Sequence, residues 1–295
     1  MEKNLNAQMI PISRIEAGIF SGMSSEEYFA LPAINKSGLD LIDRSPAHYW
    51  ALSPMNPQRE ESTSSGAMRL GSVLHTAILE PEQFDKRYLI APDGVTFAMK
   101  EGKFIKDLAS AKGMTAISWK DSVTAREAAR AVRESAAGGV LFSSGGMVEV
   151  TIVWQDPETS VFCKARIDYL AKDYSYIVDP KSTDDARRHK FARSVAEYNY
   201  HRQAAWYTWG LSVLTGKTAP FIFAAIEKTP PYGCMFYKSS EEMLIAGLKE
   251  TRGLLNIYAA CLDKNEWPGY ASEISDIDLP AWKKQDESKT KLETF

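Results

Sequence analysis

The stretch RIDYLAKDYSYIVDPKSTDDARRHKFARSVAEYNYHRQAAWY, residues 166–207, decides the fold. It predicts a strand ending near Asp168, a turn at 171–175 and a second strand through Asp179, before a basic segment and a helix. The two strands would pair as a hairpin. Because side chains alternate along a strand, Asp179 and Lys181 project to one side, and the hairpin brings Asp168 to the same end of a small sheet.

Two carboxylates and an ammonium group at one sheet end form a candidate site for a divalent metal ion and a phosphodiester. Hard oxygen ligands suit magnesium, and Lys181 can hold a water molecule or neutralise developing charge. An Asp-x-Lys sequence also arises by chance, and charged residues at the ends of a hairpin are usually just solvated. The rest of the chain must therefore decide between a site and a surface.

The composition fits an intracellular protein without a membrane segment. The chain has 295 residues, of which 44% are hydrophobic, and a net charge of -3, so binding to nucleic acid would require a local basic patch. Its three cysteines are scattered, which argues against a disulfide framework, a structural zinc site and a four-cysteine iron–sulfur cluster. The N-terminus lacks the features of a signal peptide, and every apolar run is too short to span a bilayer.

A basic segment over 182–193 contains the candidate DNA-binding residues Arg187, Arg188, Lys190 and Arg193. A charge run is normally a solvated face. This one directly follows the candidate metal ligands, where a phosphate backbone would have to lie.

The helix predicted next, over 195–214, places Tyr200, Gln203 and Tyr207 on one face. Aromatic residues at this spacing are usually core residues. Gln203 is the exception, because an amide on a buried face needs a hydrogen-bond partner.

Two earlier segments add candidates. Ser37 is expected to cap a helix over 38–44, whose N-terminus could instead receive a phosphate because its first amides are unpaired. A helix over 68–79 carries Gly71, which would let a neighbour pack closely, and His75, which is either a core residue or a ligand.

A strand over 147–155 precedes the hairpin and contains Glu149. Glu149 is either a third acid of the site or, as the alternation favours, a strand residue facing solvent.

Four features in this order resemble the PD-(D/E)XK nuclease superfamily, in the branch of the RecB nuclease domain and RecE. They are Gly71-x-x-x-His75, Asp168, Asp179-Pro180-Lys181 and Gln203-x-x-x-Tyr207. The similarity is strongest to RecE-type (exonuclease VIII) phage and prophage exonucleases. It extends to Ser37-Gly38-Leu39 and Ser45-Pro46-Ala47-His48-Tyr49, to Tyr200-His201-x-Gln203-Ala204 and to Glu266-Trp267-Pro268.

The resemblance implies a role for each of these side chains. His75, Asp168 and Asp179 would bind Mg²⁺, or Mn²⁺ in its place, and the carbonyl group of Pro180 would be a further ligand. Lys181 would orient or activate the attacking water and stabilise charge on the phosphate. Gln203 and Tyr207 would hold DNA or the lysine in place.

Pro180 departs from the family pattern, which usually has an apolar strand former between the acid and the lysine. Proline lacks the N–H group that a ladder needs, so the strand is expected to end, bulge or lie at an edge there.

The expected fold is α/β, with a central mixed sheet flanked by helices. This is a restriction-endonuclease-like core with helical N-terminal additions that supply His75. A single domain is expected over 1–285, in which 1–24 form an arm, and 286–295 are expected to be a disordered tail.

The expected function is metal-dependent digestion of linear double-stranded DNA from its 5′ ends. By resemblance the enzyme would work in phage-type recombination, supply single strands to an annealing protein, form a ring-shaped homo-oligomer and act in the cytoplasm of a bacterium. Two alternatives stay open. One is an endonuclease or single-strand nuclease with the same site, and the other is a DNA-binding or assembly protein with a vestigial site.

Overall fold

The computed structural model describes residues 15–59, 66–143 and 145–279, apart from the side chains of 66–68. The helices are α1 (Ser25–Ala30), α2 (Lys36–Arg44), α3 (Pro46–Leu52), α4 (Gly66–Leu79), α5 (Pro81–Arg87), α6 (Lys100–Ala111), α7 (Trp119–Glu134), α8 (Ala136–Ser143), α9 (Arg188–Glu197), α10 (Tyr200–Thr215) and α11 (Glu241–Lys264). The strands are β1 (Gly18–Phe20), β2 (Tyr88–Ile90), β3 (Thr115–Ile117), β4 (Gly146–Gln155), β5 (Phe162–Ala171), β6 (Ile177–Thr183), β7 (Phe221–Glu227) and β8 (Cys234–Lys238).

Six strands form the central sheet, in the order β1-β4-β5-β6-β7-β8. β6 and β7 are parallel, and the other neighbouring pairs are antiparallel. This confirms the predicted mixed sheet. β1 lies within the segment 1–24 that was predicted as an arm, so the described part of that arm contributes an edge strand.

Helices cover both faces of the sheet. The face covered mainly by α2, α10 and α11 is packed by the large apolar side chains Trp154, Ile167, Trp206, Leu211 and Leu255. The face covered by α4 and α7 is packed by Val73, Leu74, Ala125, Val132, Val178 and Ala224. The helix that carries His75 and the helix that carries Gln203 therefore approach β6 from opposite sides.

The helix predicted over 195–214 is wrong in its extent, because the chain forms two helices there. α9 takes up much of the basic segment and ends at Glu197, and α10 starts at Tyr200. Asn199 between them adopts a left-handed conformation with φ 53°, which asparagine tolerates better than most residues.

The predicted cap of α2 is also wrong. The N-cap is Asn35, whose side-chain oxygen accepts a hydrogen bond from the N–H group of Gly38 at 2.8 Å. Ser37 consequently lies inside the first turn, where its own N–H group is one of those left free at a helix start.

The expectation that Gly71 allows close packing is wrong as well, since a Cβ atom there would meet nothing within 4 Å.

Residues 1–14 of the predicted arm and the predicted tail 286–295 lie outside the described residues. Within the part of the chain that the structure covers, no helix is both long enough and apolar enough to cross a membrane.

Candidate metal centre

Three acids, Glu149, Asp168 and Asp179, lie side by side on the neighbouring strands β4, β5 and β6. The β4–β5 ladder keeps one register on both sides of Glu149 and Asp168, which places these two acids opposite each other. The β5–β6 ladder ends at the pair Tyr169–Val178, and Asp168 and Asp179 are the next residues in line. The strands diverge at this point, so the acid row lines a gap in the sheet.

A local break in β4 and β5 turns two of these acids into the gap. Glu149 has φ 52°, an uncommon backbone conformation for a residue other than glycine. On a regular strand, residues two apart face the same side. Here Val150 packs in the core beneath α10, whereas Val148 packs against the core on the opposite face, beneath α4. On β5, Ile167 and Tyr169 likewise pack on opposite faces of the sheet, on either side of Asp168. β5 therefore does not end near Asp168, as predicted, but continues through this break to Ala171.

His75 reaches the acid row from α4. Its Nε2 atom lies 2.9 Å from the carbonyl oxygen of Pro180, and its Nδ1 atom lies 3.5 Å from Oδ2 of Asp168. Burial, together with the positive charge of Lys181, lowers the pKa of the imidazole. A neutral ring that donates from Nε2 to Pro180 leaves Nδ1 free to bind a metal ion beside Asp168.

β6 continues through Pro180 because of the side of the strand on which this proline lies. The N–H group of Ile177 donates to the carbonyl oxygen of Pro220, just before β7. Alternate residues along a strand form their hydrogen bonds with opposite neighbouring strands. The ring nitrogen and carbonyl group of Pro180 therefore face the β5 side, where the ladder has already ended. Pro180 lies at a local edge, one of the three predicted outcomes, and its carbonyl oxygen is free to meet His75.

Lys181 forms an ion pair with Asp179, with 2.5 Å between Nζ and Oδ2. The ammonium group also lies 4.9 Å from the centre of the Tyr200 ring, a cation–π arrangement. Burial alone would lower the pKa of Lys181, but Asp179 and Asp168 outweigh it and hold the pKa above its usual value. Lys181 thus supplies a positive charge beside Asp179.

The acid row lacks enough positive charge to balance it. Burial, followed by the charge of Asp179, raises the pKa of Asp168 well above its usual range, although Lys181 opposes this. Burial also raises the pKa of Glu149, against the effect of Arg166. Ligand atoms of His75, Glu149 and Asp168 all lie within 4.8 Å of one another, close enough to share one ion. This oxygen-rich set with one imidazole fits a divalent cation, which would relieve the repulsion.

Gln203 and Tyr207 on α10 close the site from the other face of the sheet. Gln203 donates from Nε2 to Oδ1 of Asp179 at 2.8 Å, which supplies the partner that a buried amide needs. Both oxygens of Asp179 are therefore engaged, one by Gln203 and one by Lys181. Burial raises the pKa of the Tyr207 hydroxyl well above its usual value, with further contributions from Tyr28 and the acids.

A small polar pocket lies beside Gln203 at the N-terminus of α2. Its volume is about 140 Å³, and its lining consists of Tyr28, Asn35, Lys36, Ser37, Ala165, Gln203 and Tyr207. Lys36 is fixed there by an ion pair of 2.7 Å with Asp40 and by a hydrogen bond of 3.0 Å to the carbonyl group of Tyr198. Ser37 is therefore placed next to the site, although not as a cap.

A larger cleft of about 780 Å³ opens on the other side of His75 and Glu149. Its walls include Gly71 on α4, the ion pair between Glu80 and Arg87, and Arg166 on β5. Gly71 thus leaves this cleft open instead of admitting a neighbouring helix. The cleft opens directly onto His75 and Glu149 of the candidate site.

The predicted basic residues lie on the exposed surface of α9 and at its start. Arg187 pairs with Asp185 at 2.6 Å, so its charge is largely compensated. Between the basic residues, buried Phe191 packs against Tyr200 with a ring distance of 6.3 Å. The segment is connected to the site through this aromatic contact and not through its charged side chains.

Glu149 was expected to face solvent, and no role was predicted for Arg166. Glu149 lies on the strand that precedes Asp168 in the chain, and the register of these two strands, which was not predicted, places the acids opposite each other. The turn of the Glu149 side chain into the gap depends on the break in both strands, which no local pattern reports.

The fold has a solved relative. The crystal structure of a "Putative exonuclease" from Eubacterium rectale superposes with a TM-score of 0.56 and 14% sequence identity, covering 85% of this chain and 92% of that one. A second structure, that of SSO0001, gives a TM-score of 0.28 at 14% identity over 63% of this chain and 86% of that one, which is too low to support an argument. No curated protein sequence matches the chain.

The fold and the acid row define a PDDEXK-like protein. Residues 36–280 match the family described as a PDDEXK-like domain of unknown function (DUF3799), and the chain belongs to this family. This confirms the superfamily predicted from the sequence. Membership of this PDDEXK-like family supports nuclease activity.

Proposed function

We propose that this protein is a Mg²⁺-dependent deoxyribonuclease that degrades linear double-stranded DNA from its ends. The observation that carries the proposal is the convergence of His75, Glu149 and Asp168 within the reach of one ion, beside the Lys181–Asp179 pair. Neutral imidazole and carboxylate oxygens suit Mg²⁺ or Mn²⁺. When bound, the ion would supply Lewis-acid polarisation of the phosphate and of a water molecule.

The protein groups divide the remaining work. In hydrolysis a water oxygen bonds to phosphorus and releases a proton, the bond from phosphorus to the leaving oxygen breaks, and the leaving oxygen takes up a proton. Lys181, which keeps its charge, is placed to stabilise the negative charge that builds up on the phosphate. Gln203 holds Asp179, which in turn holds Lys181, so this chain of contacts orients the ammonium group.

A preference for 5′ ends is supported by the pocket at the start of α2. Free N–H groups at a helix N-terminus, the hydroxyl of Ser37 and the ammonium of Lys36 together suit a terminal phosphate. The exposed Arg188, Lys190 and Arg193 on α9 would contact the DNA backbone further from the cut, with Arg187 contributing less because of its ion pair.

The biological setting is proposed from the resemblance to RecE-type exonucleases. In phage-type recombination, digestion from 5′ ends would deliver single strands to an annealing protein. A ring-shaped homo-oligomer would keep a protein of net charge -3 on its substrate by enclosing the DNA rather than by a long-range field.

The test uses three DNAs of one sequence: linear duplex with a 5′ phosphate, linear duplex without it, and a covalently closed circle. We expect Mg²⁺-dependent release of nucleotides from linear DNA, faster with the 5′ phosphate, and an intact circle. Lys181→Met and Asp179→Asn should each lower the rate by at least about 100-fold, because the first removes the positive charge that stabilises the phosphate and the second removes the anion that orients Lys181. Lys103→Met, at an exposed lysine of α6, is the matched control and should cut like wild type.

Other results would contradict the proposal in identifiable ways. Cleavage of the circle would indicate an endonuclease, and activity confined to unpaired DNA would indicate a single-strand nuclease. Binding without hydrolysis would indicate a vestigial site. Thermal melting of each variant separates a lost charge from a lost fold.

A further inference from the structure

The break between α9 and α10 exposes an aromatic ring beside the candidate site. Tyr198 is the C-cap residue that follows α9, and it is 55% exposed. A single exposed aromatic side chain is ordinary on a protein surface. The contacts of this one connect it to the acid row.

Tyr198 is connected to Lys181 by two successive contacts, with Tyr200 between them. It packs against Tyr200 with ring centres 5.6 Å apart and planes inclined by 35°. Tyr200 in turn carries the Lys181 ammonium 4.9 Å from its ring centre. Two tyrosine rings in tilted contact therefore extend from the candidate reacting centre to the protein surface.

The backbone of Tyr198 is held although its ring is exposed. Its N–H group donates to the carbonyl of Ser194 at 2.9 Å, and its own carbonyl accepts from Lys36 at 3.0 Å. The left-handed Asn199 that follows fixes the direction in which the chain leaves. A surface ring on a fixed backbone loses little freedom when a flat partner binds.

We propose that Tyr198, backed by Tyr200, is a stacking site for the nucleobase next to the scissile phosphate, which rests on the proposed nuclease function. Aromatic side chains next to cationic groups that track the backbone are the usual means of holding single-stranded nucleic acid. Here the cations are the exposed Arg188, Lys190 and Arg193 of α9. Since every base has a flat face, the site would be tolerant of sequence.

This stacking site selects a kind of substrate. A base can lie on Tyr198 only after it leaves its own stack and its pairing partner, so the strand must be unpaired where it is cut. Frayed ends or ends with a short unpaired stretch are therefore the preferred duplex substrates, ahead of fully paired GC-rich ends.

The binding test uses the full chain without divalent ion and oligonucleotides that carry the fluorescent base 2-aminopurine at successive positions from the 5′ end. Stacking quenches this base. We expect quenching at one position with wild type and with Tyr198→Phe, and its loss with Tyr198→Ala. The matched control is Phe104→Ala, which removes a 65% exposed ring on α6 and should quench like wild type.

The kinetic test uses the same variants with Mg²⁺ on linear DNA. Tyr198→Ala should raise KM on the order of 10-fold, the effect of one lost stacked base, with a much smaller change in kcat. An abasic nucleotide at the quenched position should raise KM for wild type to the same degree and leave Tyr198→Ala unaffected.

The two proposals fail in different ways. If wild type digests DNA while Tyr198→Ala keeps the quenching and the KM of wild type, the stacking site is refuted and the nuclease stands. If wild type neither cleaves nor binds DNA, the nuclease assignment falls and the stacking site falls with it.

Discussion

Glu149 combines a strained backbone conformation with a position in the candidate metal centre. Its φ of 52° is unfavourable for a residue with a Cβ atom, by about 1–3 kcal/mol. Such conformations persist where the surrounding structure imposes them, and here two core layers on either side of the sheet do so. The result is a carboxylate next to Asp168 and His75 at the wall of the open cleft.

Glu149→Gln should weaken metal binding while leaving the fold intact. The substitution keeps the shape of the side chain and removes one anionic ligand, so we expect the dissociation constant for Mn²⁺ to rise by at least about 10-fold. Isothermal titration calorimetry measures it. Glu80→Gln makes the same chemical change in the same cleft, at a residue paired with Arg87, and should bind Mn²⁺ like wild type. Equal affinities in both variants would exclude Glu149 as a ligand.

Lys164 gives a prediction about pH. It is buried beneath α1, where Nζ contacts the carbonyl oxygens of Tyr28 and Leu31 at 2.7 and 2.8 Å. Burial, and then the charge of Arg166, lowers the pKa of Lys164 to about 7. A neutral amine has two N–H groups, which is the number that the two carbonyls require.

The stability of the protein should therefore rise with pH above neutrality because of Lys164. Unfolded lysine has a pKa near 10.4, so from about pH 7 to 10 the unfolded chain binds the extra proton, and the free energy of unfolding increases by at most about 1.4 kcal/mol per pH unit. Urea unfolding at pH 7, 8 and 9 tests this as the difference between wild type and Lys164→Met, which should shift in favour of wild type. A difference that does not change with pH would mean that Lys164 stays charged when folded.

At the level of elements, the hairpin was predictable and its details were not. Alternating apolar residues and a turn at 171–175 were enough to pair β5 with β6. The break between α9 and α10 was not predictable, because Asn199 adopts its left-handed conformation to fit two helices onto one sheet face. Asn35 rather than Ser37 caps α2 for a related reason: both are good caps, and tertiary packing chooses between them.

The contact between α10 and α11 supplies a stability prediction with its own control. A Cβ atom on Gly247 would lie 2.3 Å from the backbone carbonyl oxygen of His201, so the two helices approach too closely for any side chain. Gly247→Ala should lower the free energy of unfolding by about 1–3 kcal/mol. Gly253→Ala on the same helix meets nothing within 4 Å and should raise it by up to about 1 kcal/mol, since alanine favours helix. Chemical denaturation measures the free energy of unfolding of both variants. If both were destabilised, the close approach of the helices at Gly247 would not be the cause.

At the scale of the whole molecule, the site exists only when distant parts of the chain have folded together. His75 comes from one face of the sheet, Gln203 from the other, and the acids from the gap between them. The sequence motifs therefore indicated which residues meet, whereas the geometry follows from two helical layers packed on a sheet that opens at Asp168 and Asp179. A site of this kind should couple metal binding to the stability of the entire domain.

A divalent ion should thus raise the melting temperature, and Asp168→Asn should abolish the effect. At an ion concentration about 100 times the dissociation constant, binding stabilises the folded state by about 2.7 kcal/mol, a shift of several degrees for a chain of this size. Without metal, Asp168→Asn should melt above wild type, because it removes a buried negative charge flanked by Glu149 and Asp179. Asp173→Asn changes an exposed acid in the turn of the same hairpin and should keep the full response to Mg²⁺ or Mn²⁺. Differential scanning calorimetry measures the shift in melting temperature. An equal shift on adding metal in Asp168→Asn and in wild type would show that the ion binds elsewhere and that the acid row is not the metal centre.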